Sequence, residues 1–320
     1  MNEILQTISR IGIVPVIAID DAKKAVPLAK ALTEGGLPAA EVTFRTAAAE
    51  DAIRAIAKEV PEMLLGAGTV LTCEQADRAM AAGASFIVSP GYDPNVTAHV
   101  IGKGGIMVPG TATAGEMQQA MNQGCDTLKF FPAEANGGVA MLKNIGAPLK
   151  SAKWMCTGGV SAKNVNDYLG FDQIVAVGGT WMCKNDMIKA QAWDEITAIC
   201  KEAVKTMLGF ELAHVGVNCA DEAEAEQTAK TLCALFGLAY KAGSSSIFAG
   251  KAVECMKKPG RGAHGHIAIA ANSVDRAVYH LGRQGVEFIE ESRVLDAKGK
   301  TKVIYLKNEV SGFAIHLVQK

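Results

Sequence analysis

Lys129 stands in "TLKFFPAEANGG" (127–138), an apolar strand-like run that ends in a proline and a loop of small residues. Lysine is rarely buried, and burial disfavours its charged form. On an edge strand the side chain would simply face solvent. Inside a sheet it would present a neutral amine able to attack a carbonyl and hold the product as an imine. The apolar neighbours Leu128, Phe130 and Phe131, with an arginine nearby, favour the neutral amine. Imine chemistry also needs a group that takes and returns protons. Such a group occurs in "AEVTFRT" (40–46), where Glu41, Thr43 and Arg45 share one parity. Lys153 is the other strand lysine, but it begins its strand and so belongs to the opposite end.

The elements that must position these residues alternate along the first 205 positions. Apolar runs at 13–19, 39–44, 64–70, 86–90, 106–110, 127–133, 153–159 and 174–181 are separated by helix-like segments, several ending in glycine. Eight near-continuous apolar strands alternating with helices predict an α/β fold, a parallel sheet closed into a (β/α)₈ TIM barrel. An open doubly wound sheet is the alternative. Glu41, Arg45 and Lys129 all lie late in their strands, at the C-terminal mouth where barrel active sites sit. "GAGT" (66–69), "TGGVS" (157–161) and "GGTW" (178–181) close three strands with glycine, which allows close backbone approach to a ligand. Glycine pairs on the last two strands suit a phosphate site.

The bulk numbers exclude several classes. With 32 Lys+Arg against 33 Asp+Glu the formal net charge is -1, and no basic stripe marks a nucleic-acid partner. No segment reads as a secretory signal or is long enough to span a membrane. The eight cysteines form no C-x-x-C pair and are expected to be free thiols in a reducing cytoplasm.

Composition changes near residue 210. Only His99 precedes it; His214, His264, His266, His280 and His316 follow. The rhythm changes too. Residues 211–320 read as β-α-β-β-β twice, a weak internal repeat in a smaller α+β domain. The expected domains are 1–207 and 211–320.

The segments "EVTFRT", "GAGTV", "SPG", "PGT", "LKFFPAEANGG", "TGGVS" and "VGGTW" closely resemble bacterial 2-keto-3-deoxy-6-phosphogluconate aldolases, which also act as 4-hydroxy-2-oxoglutarate aldolases. The resemblance covers residues 1 to about 205. It implies a trimeric class I aldolase of the Entner-Doudoroff pathway that needs no metal or other cofactor. Its substrates would be a phosphorylated keto acid and pyruvate. On this chain it makes Lys129 the Schiff-base lysine and Glu41 the acid/base. Arg45 and Thr69 would hold the pyruvate part, and Pro90 and Phe131 would wall the site. Thr157, Gly158, Gly159, Gly179 and Thr180 would receive the distal phosphate. Thr180 stands where the family often has serine, and "PGTATAGE" replaces the usual "PGISTxxE". A phosphogalactonate aldolase and a phosphate-binding barrel isomerase are the alternatives.

Residues 211–320 resemble the glyoxalase-like vicinal oxygen chelate superfamily, through the element order with "HVGV", "GHIAI" and "AIHLVQ". The resemblance implies a divalent metal (Zn, Mn, Ni or Fe) on His214, Glu254, His266 and His316. A non-catalytic interaction module is the alternative. A homotrimer is expected, or a higher homo-oligomer built through the added domain, with no nucleic-acid or membrane partner.

Overall fold

A computed structural model describes residues 1–320. The chain divides into two compact units, Met1–Met207 and Leu208–Lys320.

The first unit is an all-parallel sheet of β1 (Ile13–Ile17), β2 (Ala39–Thr43), β3 (Leu64–Gly68), β4 (Phe86–Val88), β5 (Met107–Val108), β6 (Gly110–Thr111), β7 (Leu128–Phe130), β8 (Trp154–Thr157) and β9 (Ile174–Gly179). The strand order is β5-β4-β3-β2-β1-β9-β8-β7-β6. Its two ends, β5 and β6, are separated in the chain by Pro109 alone, so the sheet is a nearly closed, TIM-like barrel. Every residue of β1, β2, β4 and β7–β9 is buried, as expected where a sheet lies inside a ring of helices. The open sheet is therefore set aside. A helix that the apolar runs do not predict, Glu3–Ile11, buries Leu5, Ile8 and Ile11.

Two expected strands are shorter than the apolar runs suggest. β2 stops at Thr43, so Arg45 lies in the following turn. β7 stops at Phe130, and residues 131–137 run on as turns. In both places the polar and small residues that approach the mouth belong to loops.

The second unit is one sheet of β10 (Glu211–Asn218), β11 (Tyr240–Ala242), β12 (Ser246–Ala249), β13 (Val253–Met256), β14 (Gly265–Ala271), β15 (Phe288–Leu295), β16 (Thr301–Leu306) and β17 (Phe313–Gln319), with helices Glu222–Phe236 and Val274–Gly282. Its order is β11-β12-β13-β10-β14-β17-β16-β15. β10 and β14 pair antiparallel at the centre. Each then pairs in parallel with the last strand of its own half, β13 or β17. Reading outward from the centre, the two halves repeat the same arrangement. In the first half Cys219, Ala225, Ala229, Ile247, Ala249 and Cys255 make the core. Alternation along β12 and β13 then puts Ser246, Phe248 and Glu254 on the opposite face.

Candidate active site

Lys129 is 5% exposed and Glu41 1% exposed. The Lys129 Nζ donates to Glu41 Oε1 at 2.9 Å and lies 3.3 Å from Oε2. By strand register Glu41 is level with Val16 and Gly66, and Lys129 with Gly110 and Met155. Glycine makes room for the carboxylate. A Cβ on Gly68 would lie 2.2 Å from Glu41 Oε1, and one on Gly66 would strike the Phe86 ring at 2.3 Å. The pair is buried, so neither charge is shared with water. A proton passed from the ammonium to the carboxylate leaves an amine and a carboxylic acid, the two groups that imine formation requires.

The mouth above the pair is built from loops. Arg45 Nε donates to Thr69 Oγ1 at 3.1 Å, in the turns after β2 and β3. Thr69 has φ 56°, unusual for a β-branched residue, which turns its hydroxyl to that guanidinium. The Phe131 ring centroid is 5.2 Å from Lys129 Nζ, so the ring covers the amine. The Pro90 carbonyl packs where a Cβ on Gly110 would meet it at 2.2 Å.

At the ends of β8 and β9 the chain is tightly folded. Gly158 and Gly159 have φ of 100° and 84°. The Thr157 Oγ1 is buried without a hydrogen-bond partner, beside Gly178. Gly179 packs on the Trp181 ring, while Thr180 is exposed. Asn164 Oδ1 accepts from the Ser161 amide at 2.8 Å, so that amide is engaged within the loop. Sequence reasoning does not single out Glu134 and Tyr168, which also meet here. Tyr168 donates a short hydrogen bond to Glu134, and Glu134 fills the space a Cβ on Gly159 would need. Burial, then the Glu134 carboxylate, pushes the Tyr168 hydroxyl well up. Glu134 sits inside the "KFFPAEANGG" block, the only sequence signal for it.

Residues 4–199 match the family model described as KDPG and KHG aldolase. The chain belongs to this aldolase family. It is 42% identical over 205 residues to 2-dehydro-3-deoxy-phosphogluconate aldolase of Treponema pallidum, covering 64% of this chain and 98% of that protein. It is 45% identical to KHG/KDPG aldolase of Escherichia coli K12, covering 60% of this chain and 91% of the relative. Among solved structures, KDPG aldolase from Legionella pneumophila, with pyruvate captured as a covalent carbinolamine, superposes with a TM-score of 0.60. There the identity is 36%, and 62% of this chain and 97% of that one are covered. The protein is thus a class I aldolase, a carbon–carbon lyase, over its first unit. None of the matched family residues lies in the second.

Outside the aldolase unit, a second group of polar residues converges on one face of the β10–β17 sheet. Gly216 of β10 is level with Glu254 of β13 on one side and His266 of β14 on the other. His214 is level with Ala268, which is level with His316 of β17, and His316 with Tyr305 of β16. Strand alternation therefore puts His214, Glu254, His266 and His316 together. His214 Nε2 and His266 Nε2 are 3.2 Å apart, and each is 3.1 Å from the same oxygen, Glu254 Oε2. A Cβ on Gly216 would meet the His266 ring at 2.0 Å, so glycine there admits the imidazole. The ligand atoms of the three histidines all lie within 4.8 Å of one another. Ser246 Oγ donates to Glu254 Oε1 at 2.5 Å and leaves Oε2 to the histidines. Burial alone would raise the Glu254 carboxyl, but hydrogen bonds from His214, His266 and Ser246 hold it well below the usual range. Burial, then His266 and His214, push His316 down to about 4, so it is a neutral imidazole. Both of its ring nitrogens are buried without a partner.

Proposed function

We propose that residues 1–207 cleave 2-keto-3-deoxy-6-phosphogluconate to pyruvate and glyceraldehyde 3-phosphate, with slower cleavage of 4-hydroxy-2-oxoglutarate. The observation that carries this reading is the buried Lys129–Glu41 pair beneath an arginine–threonine clamp. Lys129 passes a proton to Glu41 and adds through Nζ to the C2 ketone, giving a carbinolamine. Loss of water forms the protonated imine. Glu41, again a carboxylate, takes the C4 hydroxyl proton as the C3–C4 bond breaks, and the electron pair passes into the imine to leave an enamine. The aldehyde departs. Glu41 returns its proton to C3, and water releases pyruvate. Arg45 and Thr69 hold the pyruvate carboxylate, and Pro90 and Phe131 keep water from the imine. Thr157, Gly158, Gly159, Gly179 and Thr180 receive the phosphate. The unpartnered Thr157 hydroxyl and the positive-φ glycines support that assignment.

The test is pyruvate release, measured with the phosphogluconate-type substrate, its C4 epimer of the galactonate series and 4-hydroxy-2-oxoglutarate. The phosphogluconate substrate should give the highest kcat/KM. Faster turnover of the epimer would transfer the assignment to a phosphogalactonate aldolase, and no pyruvate from any of them would refute the reading. The resemblance further supports a homotrimer or a larger homo-oligomer. The eight free cysteines support a reducing cytoplasm. No helix is long and apolar enough to cross a membrane.

We infer that residues 211–320 form a glyoxalase-like vicinal oxygen chelate domain holding one divalent Zn, Mn, Ni or Fe ion on His214, Glu254, His266 and His316. Two orphaned nitrogens on a buried neutral histidine, facing two imidazoles and a carboxylate, are the donor set such an ion takes. When bound, the ion would act as a Lewis acid on a ligand oxygen. Ser246 orients the carboxylate, and Gly216 admits the His266 ring. Elemental analysis of the purified full chain should find one equivalent of metal, lost in His266→Ala. Metal-free protein after growth with each of the four metals would refute it.

A further inference from the structure

Arg261 lies in the turn between β13 and β14, in the run "KKPGRGAHG" (257–265). Its Cζ is 5.3 Å from the centroid of the Tyr305 ring. That ring stacks on His316, with centroids 4.7 Å apart and planes at 27°. A guanidinium therefore stands one ring away from the histidine cluster. Arg261 is exposed and has no carboxylate partner; only the face of Tyr305 holds it. Two nearby charged groups are already engaged, while Lys258 in the same run is exposed. Lys257 pairs with Glu222 at 2.6 Å, and Glu254 is engaged by His214, His266 and Ser246. On the other side of the cluster the contact is apolar: the Phe248 ring meets His214 edge-on at 5.6 Å. The surroundings are thus polarised, with a free planar cation toward Tyr305 and a hydrocarbon wall toward Phe248.

We propose that Arg261 and Tyr305 form an anion-recognition subsite beside the histidine cluster. The ligand is a small organic acid whose carboxylate lies against Arg261, one ring away from the histidine cluster. Arginine suits this task because its fork of N–H donors matches two carboxylate oxygens. Stacking on Tyr305 orients the fork without neutralising it. This inference rests on the reading of the cluster as a metal site, and the test separates the two.

Full-length protein loaded with cobalt(II) is titrated with lactate and with its neutral isostere lactamide, and the visible absorption of the metal is followed. Lactate should perturb the spectrum at a concentration about tenfold or more below lactamide. Arg261→Ala should raise the lactate Kd about tenfold or more, leave lactamide unchanged and keep the cobalt stoichiometry. Arg261→Lys should recover part of the loss. Cobalt-loaded protein in which Arg261→Ala changes nothing would overturn the subsite alone. Tighter perturbation by inorganic phosphate than by lactate would overturn the carboxylate assignment. Protein that takes up no cobalt would overturn the metal site, and the subsite with it.

Discussion

Glu41 owes its position to a missing side chain. A Cβ at residue 68 would come within 2.2 Å of Oε1 and 2.6 Å of Cγ, so Gly68→Ala must displace the carboxylate from Lys129. We expect that substitution to lower kcat by about 10²-fold, the scale on which misplaced proton-transfer groups act. Overpacking should cost about 1–3 kcal/mol in thermal unfolding. Unchanged kcat in steady-state assays would mean that Glu41 is not the proton carrier. Lys129 and Glu41 are legible in the sequence because charges are conspicuous within apolar strands. Gly68 is not, since a glycine does not announce which neighbour needs its space. Tyr168 is equally silent, because its partner Glu134 is 34 residues away and reached only through the fold.

Strands are the most readable elements. All eight apolar runs of the first unit hold a strand, because burial on both faces leaves no polar alternation to confuse with a helix. Ends are harder to read. Arg45 has the parity of Glu41, yet β2 ends at Thr43, and only the tertiary course of the following turn directs Arg45 to Thr69. One helix start carries a pH prediction. Thr113 and Glu116 form a capping box on Ala114–Asn122. Burial would raise the Glu116 carboxyl, but hydrogen bonds from the Ala112 and Thr113 amides and the Thr113 hydroxyl outweigh it and lower it. The unfolded chain, with Glu116 near 4.5, therefore takes up a proton at higher pH than the native one. The stabilisation is fully present above that value and is lost as pH falls below it. Glu116→Ala should cost about 1 kcal/mol at pH 7. The gap between variant and wild type in calorimetry should narrow on acidification to pH 3.5. A gap that stays constant would count against the cap.

At the scale of the whole chain, the molecule divides into two compact units, and the proposed chemistries divide with them. The step in histidine content near residue 210 and the change of element rhythm are legible in the sequence, because a barrel and a twofold-repeated sheet need different strand spacing. The convergence of His214, His266 and His316 depends on the central β10–β14 pairing, which a linear pattern does not specify. The proposed aldol cleavage through Lys129 uses no residue of the second unit. Chelation with EDTA should therefore leave the rate of pyruvate release unchanged. It should also increase hydrogen exchange in β10, β13, β14 and β17, as loss of a ligand bound to the native state destabilises its site. A fall in aldol cleavage parallel to metal removal would contradict this division of labour.

The central claim is covalent catalysis by Lys129. Its most direct test is the intact mass of the full chain after borohydride reduction in the presence of pyruvate, followed by peptide mapping. The account predicts a single reduced pyruvyl adduct on Lys129 that is absent in Lys129→Met. No adduct, or an adduct on another lysine that persists in Lys129→Met, would contradict it.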